Sequence, residues 1–149
     1  GVQTCALPIS TPGYTPAMFL LLAALAAAGP VTDGDTAPSY RIAAGKGTAT
    51  LLLGPANGTP EAALDVLTFE DGAAVPPHVH DASAELLYVL EGRVEMVIGG
   101  QVVVAEKGDA IRIPAGVEHS ARAVGTLRAV QVYVGPGPEQ RFTAGEKVR

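Results

Sequence analysis

From Tyr40 onward, apolar and polar residues alternate in short runs separated by turn residues. The β-prone runs are 40–44, 48–53, 63–70, 85–91, 94–98, 101–105, 110–113, 120–124 and 127–134. A further extended stretch passes through Pro76-Pro77 to His78 and His80. Gly99-Gly100 between two of the runs is a two-residue hairpin signal, because such turns need positive φ at both central positions. No amphipathic helix of ten or more residues is visible after Tyr40. About ten short strands at regular spacing predict an all-β sandwich or barrel. Run 85–91 is apolar on both parities: Leu87 and Val89 on one face, Leu86, Tyr88 and Leu90 on the other. One face is expected to line the core, and the other to meet a second sheet or a partner subunit.

Composition agrees with this reading. Gly 18 and Pro 12 are high for 149 residues, as a turn-rich β fold requires. Hydrophobic residues make up 48% and charged residues 17%, which allows one packed core. The net charge of −5 and the lack of a basic run exclude a nucleic-acid surface. Cys5 is the sole cysteine, so no disulfide forms within one chain.

The first charged residue is Asp33. Residues 1–17 are set aside as a tail, either unstructured or of non-native, adapter-derived sequence, as Val2 to Ile9 suggest. Residues 17–29 form a continuous apolar run, shorter than the roughly 20 residues of a membrane-spanning helix. No stable membrane span is expected. The run fits the apolar core of a signal peptide, with Ala26-Ala27-Ala28 as a cleavage site; a buried helix is the alternative. Residues 18–39 then read as a signal-peptide remnant and linker, and 40–149 as the barrel. Export to the periplasm or beyond is the expectation, with a cytoplasmic protein as the alternative.

Candidate chemistry is concentrated in residues 72–92. Side chains alternate along a strand, so His78 and His80 share a face, roughly 7 Å apart by strand rise. Glu85 stands at an odd offset and joins them only if the chain bends between. His119, the remaining histidine, follows the turn at Pro114-Ala115-Gly116. Three neutral imidazoles and a carboxylate suit a divalent first-row ion: iron, manganese, nickel, copper, cobalt or zinc. Four protein ligands on an octahedral ion leave two positions for water, dioxygen or substrate.

The chain resembles the cupins. Gly72, His78, His80, Glu85 and Gly92 fall on the first motif of that family without a gap. Gly108, Pro114, Gly116 and His119 fall on the second, and Ala123 stands where Asn is usual. The resemblance implies a double-stranded β-helix, that is, a jelly-roll barrel, with a metal in its mouth held by His78, His80, Glu85 and His119. Ala123 is not at a ligand position, so its departure bears on local packing or hydrogen bonding.

Gln131 lies mid-strand between Val130 and Val132. It is a candidate contact to the ligands or to a bound small molecule if it faces the lumen; a solvent-facing position is the alternative. Tyr88 reads as a packing residue, and Arg93, Arg112 and Arg128 as solvated. Glu91 and Glu95 flank a turn and read as solvated too. Two functions follow. One is a metal-dependent enzyme on a small molecule, by dioxygenase-like or Lewis-acid chemistry; the other is a non-catalytic module that binds a metal or small ligand. An open lumen with polar groups besides the ligands favours the enzyme. A lumen filled by apolar side chains favours the module. A homodimer is expected from the apolar outer face of run 85–91.

Overall fold

The computed structural model describes residues 31–135 and 137–149. The tail, the apolar run 17–29 and Cys5 lie outside the described residues. The described chain is built from β1 (Ser39–Ile42), β2 (Gly47–Leu53), β3 (Ala62–Phe69), β4 (Ala74–His78), β5 (Ala84–Ile98), β6 (Gln101–Glu106), β7 (Ala110–Ile113) and β8 (His119–Val134). Three short 3₁₀ segments accompany them, the longest being Pro138–Ala144. All strand pairs are antiparallel. Among the described residues no α-helix is present.

The expected ten strands are eight, because two of them do double duty. Runs 85–91 and 94–98 are one strand, β5, and runs 120–124 and 127–134 are one strand, β8. The lower half of β8 pairs with β3 and with the first half of β5, which carries β7 on its other edge. The upper half of β8 pairs with β4 and with the second half of β5, which carries β6. Two sheets are thus made by folding one sheet over at the middle of its two longest strands, which is the jelly-roll arrangement.

The fold-over has a visible cause. In the first half of β5 the inward residues are Glu85, Leu87 and Val89; in the second half they are Val94 and Met96. Inward parity changes from odd to even, so an extra residue has been inserted between. The β5–β8 register shifts on both sides of Glu91, which is a β-bulge with Gly92 at φ 80. The predicted turns at Gly92 and at Gly125-Thr126 are therefore bends inside continuous strands.

Run 40–44 also ends earlier than expected. Ala43 and Ala44 take left-handed backbone (φ 51 and 54) and turn the chain through a short 3₁₀ segment. Pro76 and Pro77 sit inside β4 without breaking it, because β4 pairs on one side only, with β8. The register skips between Val75 and His78, where the missing N–H groups would fall.

Inward residues from both sheets form the core: Leu67, Phe69, Val89, Ile113 and Leu127 meet Val94, Met96 and Ala105. Ala123 belongs to this core, and its backbone bonds Gly72 N–H and the Ala73 carbonyl. Local backbone pairing is thus complete at the position where the family usually has Asn. On the outside of the sheet, Leu86 and Tyr88 are 37% and 48% exposed. With Val130, Val132 and Ala110 they make an apolar outer face, the one expected from the sequence to meet a second sheet or a partner subunit. Beyond β8 the chain turns back along β1, tied by a bridge from Tyr40 to Lys147 and an Arg41–Glu146 ion pair at 3.1 Å. This return brings Arg141 and Phe142, on the 3₁₀ segment, to the barrel's interior cavity.

Candidate metal centre

Three strands and one loop deliver the four predicted ligands. His78 ends β4 and lies directly opposite His119 at the start of β8, so strand pairing alone brings two imidazoles together. His80 lies in the loop that follows. Glu85 is on β5, one turn of chain later, paired with Ile113 and Tyr133. The odd offset of Glu85 is resolved by the break between β4 and β5 at residues 79–83. The ring centroids of His78, His80 and His119 lie 4.2 to 5.1 Å apart. One nitrogen or oxygen from each of the four residues falls within 4.8 Å of the others. His80, Glu85 and His119 are buried; His78 is half-buried.

Supporting bonds aim these atoms. Nδ1–H of His78 donates to the Pro76 carbonyl at 2.8 Å, and Nδ1–H of His119 to the Val117 carbonyl at 2.9 Å. In the neutral ring each bond leaves the lone pair on Nε2, as a metal-ligating histidine requires. Gln131 is buried, facing the lumen, and its Nε2 donates to Glu85 Oε1 at 2.6 Å. The other carboxylate oxygen, Oε2, faces His80 Nε2 at 3.2 Å and His119 Nε2 at 3.1 Å.

The electrostatics favour a cation at this point. Burial works against the Glu85 anion, yet bonds from His119, His80 and Gln131 outweigh it and hold the carboxyl down at about 2. Burial lowers the His78 pKa and so favours the neutral ring, which is the metal-binding form. Burial also opposes charge on His119, but its bond to Glu85 wins and raises its pKa. A proton on His119 thus sits where a shared cation would satisfy the same carboxylate. The donor set fits a divalent first-row ion.

Beside this cluster lies a cavity of about 300 Å³. Its wall is mostly apolar, with Phe69, Val89, Met96 and Phe142 among the lining residues. Besides the cluster, Gln131, Tyr133 and Arg141 bring polar groups to it. Tyr133 is 1% exposed, and its ring packs edge-on against His80 at 5.1 Å. Burial holds its hydroxyl protonated far above the usual phenol range. Tyr88, Glu91, Arg93, Arg112 and Arg128 are exposed and take no part.

Two acids behind the cluster escaped the sequence reading. Asp65 is fully buried on β3, directly opposite Gln131. Both of its oxygens lack a hydrogen-bond partner, as does one oxygen of buried Glu139. Burial first, then repulsion by Glu139 and Glu85, raises the Asp65 pKa from 3.8 to about 7. The folded state therefore prefers the neutral acid. Its stability is fully present below pH 3.8 and is lost as pH rises through about 7. At 1.36 kcal/mol per pH unit the ceiling is about 4 kcal/mol, and relaxation would leave about 2. Asp65→Asn is expected to raise the urea midpoint, with a larger gain at pH 8 than at pH 5. An equal gain at both values would contradict a buried titrating acid.

Comparison with known proteins fits this geometry. The model of the family described as "Cupin domain" matches residues 65–135. The tetracenomycin polyketide synthase protein TcmJ of Streptomyces glaucescens is 29% identical over 119 residues, covering 77% of this chain and 78% of that protein. Quercetin 2,3-dioxygenase of Bacillus subtilis is 41% identical over 51 residues, which are 34% of this chain and 15% of that enzyme. Among solved structures, KdgF from Halomonas sp. superposes with a TM-score of 0.66 at 18% identity, covering 75% of this chain and 98% of that one. Motifs, topology, the family match and shared architecture lead to one assignment: residues 65–135 of this chain are a cupin domain.

Proposed function

We propose that the protein is a metal-dependent enzyme acting on a small, largely apolar molecule held in the barrel. The observation that carries this reading is the adjacency of the His78–His80–Glu85–His119 cluster to an open apolar cavity with further polar groups. A barrel serving only as a metal store would have no use for that space. Similarity to a protein named quercetin 2,3-dioxygenase and to polyketide synthase proteins supports the same direction.

A divalent ion bound here would supply Lewis-acid or dioxygen chemistry. The chain's own residues do the rest. His78, His80 and His119 present Nε2, and Gln131 anchors Glu85 by Oε1 so that Oε2 turns inward. Phe69, Val89 and Met96 exclude water from the body of the substrate. Tyr133 keeps its proton and offers a hydrogen bond without acting as a base. All three histidines belong to the cluster, so no imidazole is left for proton shuttling.

Incubation with each first-row divalent ion, followed by dialysis and elemental analysis, is expected to leave about one ion per chain. Oxygen uptake should then appear in a screen of phenols, diols and keto acids. Failure of every ion to remain at stoichiometric level overturns the metal reading. Stoichiometric metal with no turnover in the screen would favour the non-catalytic ligand-binding module.

A further inference from the structure

One cation stands at the cavity, and it has no direct carboxylate partner there. Arg141 lies on the 3₁₀ segment Pro138–Ala144, outside the matched residues 65–135. Its Nη2 approaches His80 Nε2 at 3.4 Å, its Nε–H donates to the Pro138 carbonyl at 3.3 Å, and with Tyr133 it lines the cavity. Among the described residues no carboxylate forms an ion pair with it. Glu85, the acid of the site, is already shared by His80, His119 and Gln131.

Arg141 is exposed on one side and faces the cavity on the other, and two positive centres side by side against an apolar wall repel unless an anion lies between them. A divalent ion on one carboxylate and three neutral imidazoles keeps net positive charge, and a guanidinium cannot shed its own. The arrangement therefore asks for a negative group from the ligand. The geometry suits one: a guanidinium offers paired N–H donors to a carboxylate, and the Tyr133 hydroxyl beside it has a proton to donate. Beyond these groups the wall is apolar, and about 300 Å³ is at the small end of ligand cavities.

Resting on the metal-dependent reading above, we infer that the substrate is a small hydrocarbon-rich acid. Its anionic oxygen group lies between Arg141 and the histidine–glutamate cluster, and its body packs against Phe69, Val89, Met96 and Phe142. Arg141 is then the specificity residue of the site.

The test compares 2-naphthoate with its neutral counterpart 2-naphthamide, by calorimetric titration of the full chain, zinc-loaded and metal-free. Wild type should bind naphthoate about tenfold more tightly than naphthamide, as a charge-assisted pair predicts. In the metal-free chain Arg141→Met should bring that ratio near one by weakening naphthoate alone, in the zinc-loaded chain it should lower the ratio without abolishing it, and Arg141→Lys should keep part of it. Unchanged naphthamide affinity in the variants certifies an intact cavity. Equal naphthoate preference in wild type and Arg141→Met overturns the inference, and so does a wild type that binds neither compound. The metal-free arm separates the two readings: a chain that takes up no metal yet prefers naphthoate through Arg141 sinks the enzyme proposal and keeps the anion site.

Discussion

His119→Ala is expected to reduce retained metal from about one ion per chain to a small fraction after dialysis. The substitution removes one of four donors and leaves Oε2 of Glu85 facing His80 alone. Residues that merely support ligands commonly cost 10- to 100-fold in metal affinity, so loss of a ligand should exceed ~100-fold. The fold should survive, because His119 contributes little to the apolar packing of Leu67, Phe69, Val89 and Met96. Gln131→Leu makes the graded comparison. It frees Glu85 Oε1 without touching a donor, and should weaken binding by ~10- to 100-fold while saturating metal still fills the site. Elemental analysis and competition with a chromogenic chelator read both. Stoichiometric, tightly held metal in His119→Ala would remove this histidine from the site.

The largest stability effect is expected at Gly92→Ala. Gly92 sits at φ 80, where alanine is strained by roughly 1–2 kcal/mol. A Cβ there would also run into the Thr126 carbonyl oxygen, with the carbonyl carbon at 2.9 Å and Leu127 Cα at 3.1 Å. These are backbone atoms of β8 at the bend, so β8 would have to move off β5. A loss of about 3 kcal/mol or more is expected, a fall in Tm on the order of 10 °C. Gly72→Ala is the control: φ is 70, but a Cβ meets nothing within 4 Å, so the strain alone should register. Thermal unfolding followed by circular dichroism separates the two. Equal losses would mean that the close approach at the bulge carries no weight.

The ligands were legible because their information is local. His78 and His80 share a strand parity, and the turn ahead of His119 marks where β8 begins. The strand runs were legible too, since period-two alternation survives single-residue errors. The two bends were misread as turns for a physical reason. Glycine with polar neighbours marks a reversal and a bulge alike, and only register tells them apart. Asp65 left a usable trace: it shares inward parity with Ala63, Leu67 and Phe69, an acid on a buried face. Tyr133 shares parity with Gln131 in the same way. Arg141 left none. It is an exposed arginine in a segment broken by Pro138 and Gly145, and its proximity to His80 exists only through the return of the chain along β1.

That return has a consequence for how such barrels diversify. The residues offered to a metal sit within the stretch shared with the family, on strands whose pairing cannot shift without losing the site. Ile42, Ala43, Arg141 and Phe142, which finish the cavity, lie outside that stretch, on the edge strand β1 and its 3₁₀ turn and on the segment that returns along β1. Heritable change in the flanks can therefore reshape the cavity while the histidine–glutamate cluster is inherited intact. Two barrels with the same four ligands need not share a substrate, and a graft of residues 137–149 between them would carry preference along with it.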